Sequence, residues 1–165
     1  MTRRPLFEFL AEDHGRLADL LERAKADPKN LGYGAYGQFR AALLRHIAIE
    51  EKILLPAARR MRGGDALPIA EKLRRDHGAL AALLVPTPTP AILAKLHAIL
   101  ETHNPIEEGP DGVYETCEQL AGDQVEALIA EMRAMPEVKL APHVDGPQIV
   151  EATRRALERA GYTFE

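Results

Sequence analysis

The chain has no tryptophan, one cysteine and only 5% aromatic residues among its 165. The lone thiol, Cys117, excludes an internal disulfide and a thiolate metal cage; it reads as a small buried hydrophobe. So few aromatic rings argue against a platform on which nucleobases stack. There is no basic excess either: 21 Lys and Arg against 25 Asp and Glu leave a net charge of −4. A dedicated nucleic-acid binder would carry a basic face, so no nucleic-acid partner is expected. No run approaches the ~18 apolar residues of a membrane span. The opening MTRRPLFEFL lacks the apolar stretch of a signal peptide, which makes a cytoplasmic protein the expectation.

What is present is 46% hydrophobic sequence, enough for a core, cut into segments by clustered Pro and Gly. Segment A runs from Pro5 to Ala26 and ends at the turn formers DPKNLGYG. Segment B spans Ala35 to Met61, with Pro56 expected to kink or end it. Segment C covers Ala66 to Val85. After PTPTP, Thr89 is placed to cap segment D, which starts with Pro90 and runs to Glu108. Val113 to Met135 reads as helical with a weak point at Gly122-Asp123, and an amphipathic helix from Gln148 to Ala160 closes the chain.

No segment alternates like a strand. In A, Leu10, His14, Leu17, Leu21 and Ala24 recur at steps of three and four, and equivalent rows run through B, C and D. Four such helices with short links predict an all-α, antiparallel up-down four-helix bundle with additional C-terminal helices. The expected division is a bundle over residues 1–135 and a tail over 136–165, packed on the bundle or on a partner. The bundle also repeats internally. EDHGRLADLL (12–21) is echoed by RDHGALAALL (75–84), and HIAIEE (46–51) by HNPIEE (103–108).

Polar residues interrupt the apolar rows at His14, at His46 and Glu50, at His77, and at His103 and Glu107. A carboxylate on a core face is costly unless it is paired or bound to a cation, and two on opposing helices repel. One His-x-x-x-Glu is ordinarily a hydrogen bond along a helix. Two copies, each with a partner histidine on the preceding helix, point to metal. His14 and His46 fall at nearly the same depth in the bundle, as do His77 and His103 more loosely, and each Glu lies about 6 Å beyond its His. The set suits two ions, one on His14 and His46, the other on His77 and His103, with both glutamates bridging. Imidazole and carboxylate without thiolate favour iron; manganese and zinc are less well suited.

This pattern resembles the hemerythrin HHE cation-binding family over about residues 5–110. The match is His14, His46-x-x-x-Glu50, His77 and His103-x-x-x-Glu107, strengthened by the DHG starts and IEE endings. The resemblance implies a non-haem di-iron centre, bridged by carboxylate and by oxo or hydroxo, with those six residues as ligands. Oxygen-carrying hemerythrins have a further histidine one turn before the third-helix ligand, where this chain has Leu73. That departure points to a more open iron and toward the sensing, iron-handling and stress-related members. Pro105, between the two ligands of segment D, is expected to bend that helix and shorten the reach of Glu107.

The neighbours of these residues carry further expectations. Glu51 and Glu108, about 100° round the helix from the ligands, are assigned to the surface or to support of a ligand. Asp13 and Asp76 are read first as exposed helix carboxylates, and second as groups that orient a partner's imidazole. His97 is assigned to the surface, and His143 is placed outside the ligand set. Tyr114, past the Gly109-Pro110 turn, is within reach of folding back beside the site.

The leading function is therefore a di-iron protein that binds or senses dioxygen, nitric oxide, peroxide or iron. A di-iron oxidoreductase that removes peroxide or nitric oxide would use the same six residues, but no dedicated proton-donor or electron-partner motif accompanies them. A metal-free helical interaction module is the third reading. It requires that all six polar residues could become apolar without loss of function.

Overall fold

Local sequence accounts for where the helices begin and how far they run. The computed structural model describes residues 3–27 and 34–164, and all regular structure among them is helical. Helix α1 is Pro5–Ala26, α2 is Ala35–Ile49, α3 is Leu55–Met61, α4 is Ala70–Leu83 and α5 is Pro90–Glu108. Three shorter helices follow: α6 (Val113–Ala121), α7 (Val125–Arg133) and α8 (Pro147–Arg159). The turn cluster expected at 27–34 lies mostly outside the described residues. Thr89 does cap α5, its hydroxyl accepting from the Ile92 amide at 3.2 Å, with Pro90 in the first turn. The weak point at Gly122-Asp123 is a short 3-10 turn, Gly122–Gln124, between α6 and α7.

The apolar rows form two core clusters rather than one. The first holds Leu6, Leu10, Ile49, Leu54, Leu73, Val113 and Tyr114; the second holds Leu17, Leu21, Phe39, Leu43, Leu80, Leu83, Leu93 and Leu96. Following the chain, α1 passes from the first cluster to the second, and α2 with α3 returns. Helix α4 crosses again, and α5 comes back. That is the antiparallel up-down bundle the spacing predicts. The divide between the clusters is where the polar residues of the rows sit: His14 between Leu10 and Leu17, His46 between Leu43 and Ile49, His77 between Leu73 and Leu80. Metal-type side chains thus form a layer across the bundle, sealed above and below by apolar residues.

Neither proline ends its helix, and segment B is irregular just before Pro56, in keeping with the kink expected there. The chain passes through a wide π turn, Glu50–Leu54, and continues as α3. A regular turn would set the proline ring against the Lys52 carbonyl, and the turn that widens just before it relieves that crowding. Pro105 lies inside α5, which runs on to Glu108. Its ring is on the exposed face, so the Glu101 carbonyl that loses its amide partner is at the wet side of the helix. Glu107 is fully buried and keeps its reach.

The C-terminal segment is tied to the bundle. Arg40 donates to the carbonyls of Leu84 at 2.8 Å and Ala141 at 2.7 Å. Thr87 donates to Asp145 through its amide at 2.9 Å and its hydroxyl at 2.6 Å. Helix α8 packs against α4 and adds Leu157 to the second core cluster. No helix among the described residues is long and apolar enough to cross a membrane.

Candidate metal centre

All six polar residues of the rows are buried and converge. His14, His46, Glu50, His77, His103 and Glu107 are 0–6% exposed. The His14 and His46 rings lie 4.8 Å apart and those of His77 and His103 5.0 Å apart, so each pair is level in the bundle. The Nε2 atoms turn inward onto the two glutamates. Glu107 spans both halves: Oε1 is 3.1 Å from His14 Nε2, and Oε2 is 3.2 Å from His103 Nε2 and 3.7 Å from His77 Nε2. Glu50 is less symmetric. Its Oε1 lies 3.3 Å from Nε2 of both His46 and His77, while Oε2 accepts from the Tyr114 hydroxyl at 2.9 Å.

The outer nitrogens are as ordered as the inner ones. Each Nδ1 meets a carboxylate from a different helix turn: Glu108 on His14 at 2.8 Å, Asp13 on His46 at 3.1 Å, Glu51 on His77 at 2.7 Å and Asp76 on His103 at 2.9 Å. A carboxylate only accepts, so each of these contacts places a proton on Nδ1, and Nε2 becomes the inward electron-pair donor once a cation displaces any second proton. Orienting carboxylates of this kind fix ring and tautomer at metal sites. Asp13 and Asp76 are therefore not exposed helix carboxylates. They are 7% and 0% exposed, because α1 and α4 turn the residue before each DHG histidine toward the neighbouring helix. The doubling of DH and EE in both halves of the repeat was the sequence signal for this. Glu51 and Glu108 take the supporting role expected of them, His97 is on the surface, and Cys117 is buried. His143 lies at the bundle end, its Nδ1 donating to the Val85 carbonyl at 3.3 Å.

Without a cation the layer is electrostatically unbalanced. Burial disfavours charge on His77, yet hydrogen bonds with Glu107, Glu50 and Glu51 outweigh it and lift its pKa to about 11. Burial likewise opposes charge on His103, and Asp76 and Glu107 overcome it, raising the pKa to about 9. Burial would raise the Glu107 pKa, but hydrogen bonds from His103, His14 and His77 hold it well below the usual carboxylate range. Protons thus take the place of positive charge that the carboxylates demand. These contacts are poorly aligned, however, and Glu50 Oε1, His77 Nε2 and Glu107 Oε2 are buried without a well-formed hydrogen bond among the described residues. Orphaned acceptors and a ring nitrogen aimed at one point are what a bound cation would satisfy. Two sets have ligand atoms close enough to share an ion: Glu50, His77, His103 and Glu107, and separately His14, His46 and Glu107.

The family model of the hemerythrin HHE cation binding domain matches residues 6–135. The chain belongs to the hemerythrin HHE family. No curated protein and no solved structure matches it at a significant level. The hemerythrin match spans the bundle together with α6 and α7, so these two helices fall within the family's domain and α8 lies beyond it. Leu73, one turn before His77, is 1% exposed in the first core cluster. At that position this hemerythrin-like chain presents hydrocarbon. Sequence reasoning had Tyr114 folding back beside the site, as a substitute ligand if segment D bent. In the structure its hydroxyl sits inside the layer, 2.9 Å from His14 Nε2 and 3.2 Å from His46 Nε2.

Proposed function

We propose that this hemerythrin-family chain is a non-haem di-iron protein whose six ligands are His14, His46, Glu50, His77, His103 and Glu107, and that it binds or senses a small ligand such as dioxygen, nitric oxide or peroxide. The observation that carries the reading is the arrangement of four imidazoles, each with Nδ1 held by a carboxylate and Nε2 turned onto two buried glutamates. A metal-free interaction module has no use for four carboxylates and four imidazoles in its core, since an apolar layer of the same volume would be at least as stable. Mixed imidazole and carboxylate donors without thiolate suit iron. Iron there supplies a change of oxidation state and an exchangeable position. The chain's own residues orient the donors and keep water out: Leu17, Leu43, Ile47, Leu80 and Leu100 wall the site on its apolar side. Asn104 is the one other polar residue among the described residues that line this side.

The test is metal analysis and a visible spectrum of protein purified from iron-supplemented cells. Two irons per chain, one for each ligand set, with an oxo-bridge charge-transfer band support the reading. Protein that folds fully without iron and takes none up refutes it. Sustained consumption of peroxide or nitric oxide by the iron-loaded protein would move the assignment to an oxidoreductase.

A further inference from the structure

The two ligand sets are unequal. His77, His103, Glu50 and Glu107 provide four donors, whereas His14, His46 and Glu107 provide three. The phenol oxygen of Tyr114 stands at the position the smaller set lacks. It is 2.9 Å from His14 Nε2, 3.2 Å from His46 Nε2 and 3.3 Å from Glu107 Oε1. Donor atoms about 2.1 Å from one ion and at right angles to each other are about 3 Å apart. The phenol oxygen therefore has the spacing of a fellow ligand to all three.

The hydroxyl sits among four electron-pair donors. Glu108 and Asp13 hold the Nδ1 sides of His14 and His46, so their Nε2 atoms present lone pairs once a cation displaces any second proton. These two nitrogens, Glu50 Oε2 and Glu107 Oε1 then all face the phenol, which has one proton to give. A cation among them satisfies all four and the phenol oxygen together.

The backbone is shaped to bring the ring there. Gly112 leads into α6, and a Cβ on it would meet the carbonyl oxygens of Gly109, Glu107 and Ile106 at 2.7–2.8 Å. Asp111 before it takes a left-handed conformation, φ 58°. Only this tight reversal after α5 lets α6 fold back across the bundle. The Phe7 ring then packs edge-on against Tyr114, with centroids 6.1 Å apart.

We infer that Tyr114 is itself a metal ligand, its phenolate oxygen giving the ion on His14, His46 and Glu107 the fourth protein donor that the set on His77 and His103 already has. The O–H bond of the phenol is replaced by an oxygen–metal bond, and the proton leaves to solvent as the ion enters. This rests on the metal-centre reading above. The experiment is anaerobic loading of metal-free protein with ferrous iron, oxidation with ferricyanide, and visible and resonance Raman spectra of wild type, Tyr114→Phe and Tyr36→Phe. Wild type is expected to show a phenolate-to-ferric charge-transfer band whose enhanced ring modes shift when tyrosine is ring-deuterated. Tyr114→Phe should lose the band while still binding iron, and Tyr36→Phe should keep it. The deuteration shift in wild type stands even if Tyr114→Phe fails to fold. Iron-loaded wild type without tyrosine modes, or a band that survives in Tyr114→Phe, overturns the inference alone. A chain that takes up no iron overturns it together with the metal-centre reading.

Discussion

Replacing Asp76 by Asn tests whether the outer carboxylates tune the centre or only fill space. Asp76 is fully buried, and its Oδ2 accepts from His103 Nδ1 at 2.9 Å. Its Oδ1 accepts from Lys72 Nζ at 2.6 Å and from the Tyr162 hydroxyl at 3.1 Å. Asparagine keeps the shape and removes the charge. If its amide nitrogen faces His103, two donors meet, and the ring is driven to the tautomer with its proton on Nε2, the atom that should bind metal. If the amide flips, Lys72 loses its acceptor but swings into water at little cost, being 39% exposed at its side chain. His103 then keeps an acceptor but a neutral one, and its imidazole becomes a weaker donor. Loss of such a partner typically lowers metal affinity about 10- to 100-fold, or about 1.4 to 2.7 kcal/mol. Competition for ferrous iron against a chromophoric chelator, under argon, measures this directly. Glu71→Asn, an exposed neighbour on the same helix, is the control and should leave affinity unchanged. An Asp76→Asn protein with native circular dichroism and affinity within twofold of wild type would refute the reasoning.

Four further outcomes are expected. Glu50→Ala should lose more iron than Glu51→Ala, because Glu50 faces two inward nitrogens at 3.3 Å whereas Glu51 holds only the outer nitrogen of His77; equal loss from folded variants contradicts the ligand assignment. Leu73→His adds an imidazole one turn before His77 on the same face and should slow oxidation of the reduced protein in air, followed by the growth of the ferric spectrum. Wild type, with Leu73, should oxidise in air and bind azide in the oxidised form; a long-lived reversible oxygen complex would restore oxygen carriage as the leading function. In metal-free protein the pKa values of His103 and His77 are raised from 6.5 to about 9 and about 11. Their contribution to stability is complete below about pH 6.5 and is lost as pH rises through those values. The melting temperature of metal-free protein should therefore fall from about pH 6.5 upward, while iron-loaded protein, in which metal replaces the protons, should show a flatter profile; parallel curves would count against the assignment.

The helices, their up-down order and the six inward residues were legible because all three rest on local periodicity. A step of three or four residues returns to the same helix face whatever the rest of the chain does, so a polar residue in an apolar row is visible before any packing is known. The duplication of DHG and IEE then made the coincidence of two halves readable. Residues one position away from a ligand are a different matter. Asp13 and Asp76 lie about 100° round their helices from His14 and His77, and only the approach of the next helix decides whether that direction is solvent or an imidazole. The reach of Glu107 was misjudged for the same reason: Pro105 lies on an exposed face, and the face is set by packing. Tyr114 depended on still less local information. Its place among the ligands follows from a left-handed Asp111, a Gly112 with no room for a Cβ, and an apolar cluster that receives α6. Periodicity determines which face of a helix is inside; where two elements meet across a turn is decided by the three-dimensional fit of the chain upon itself.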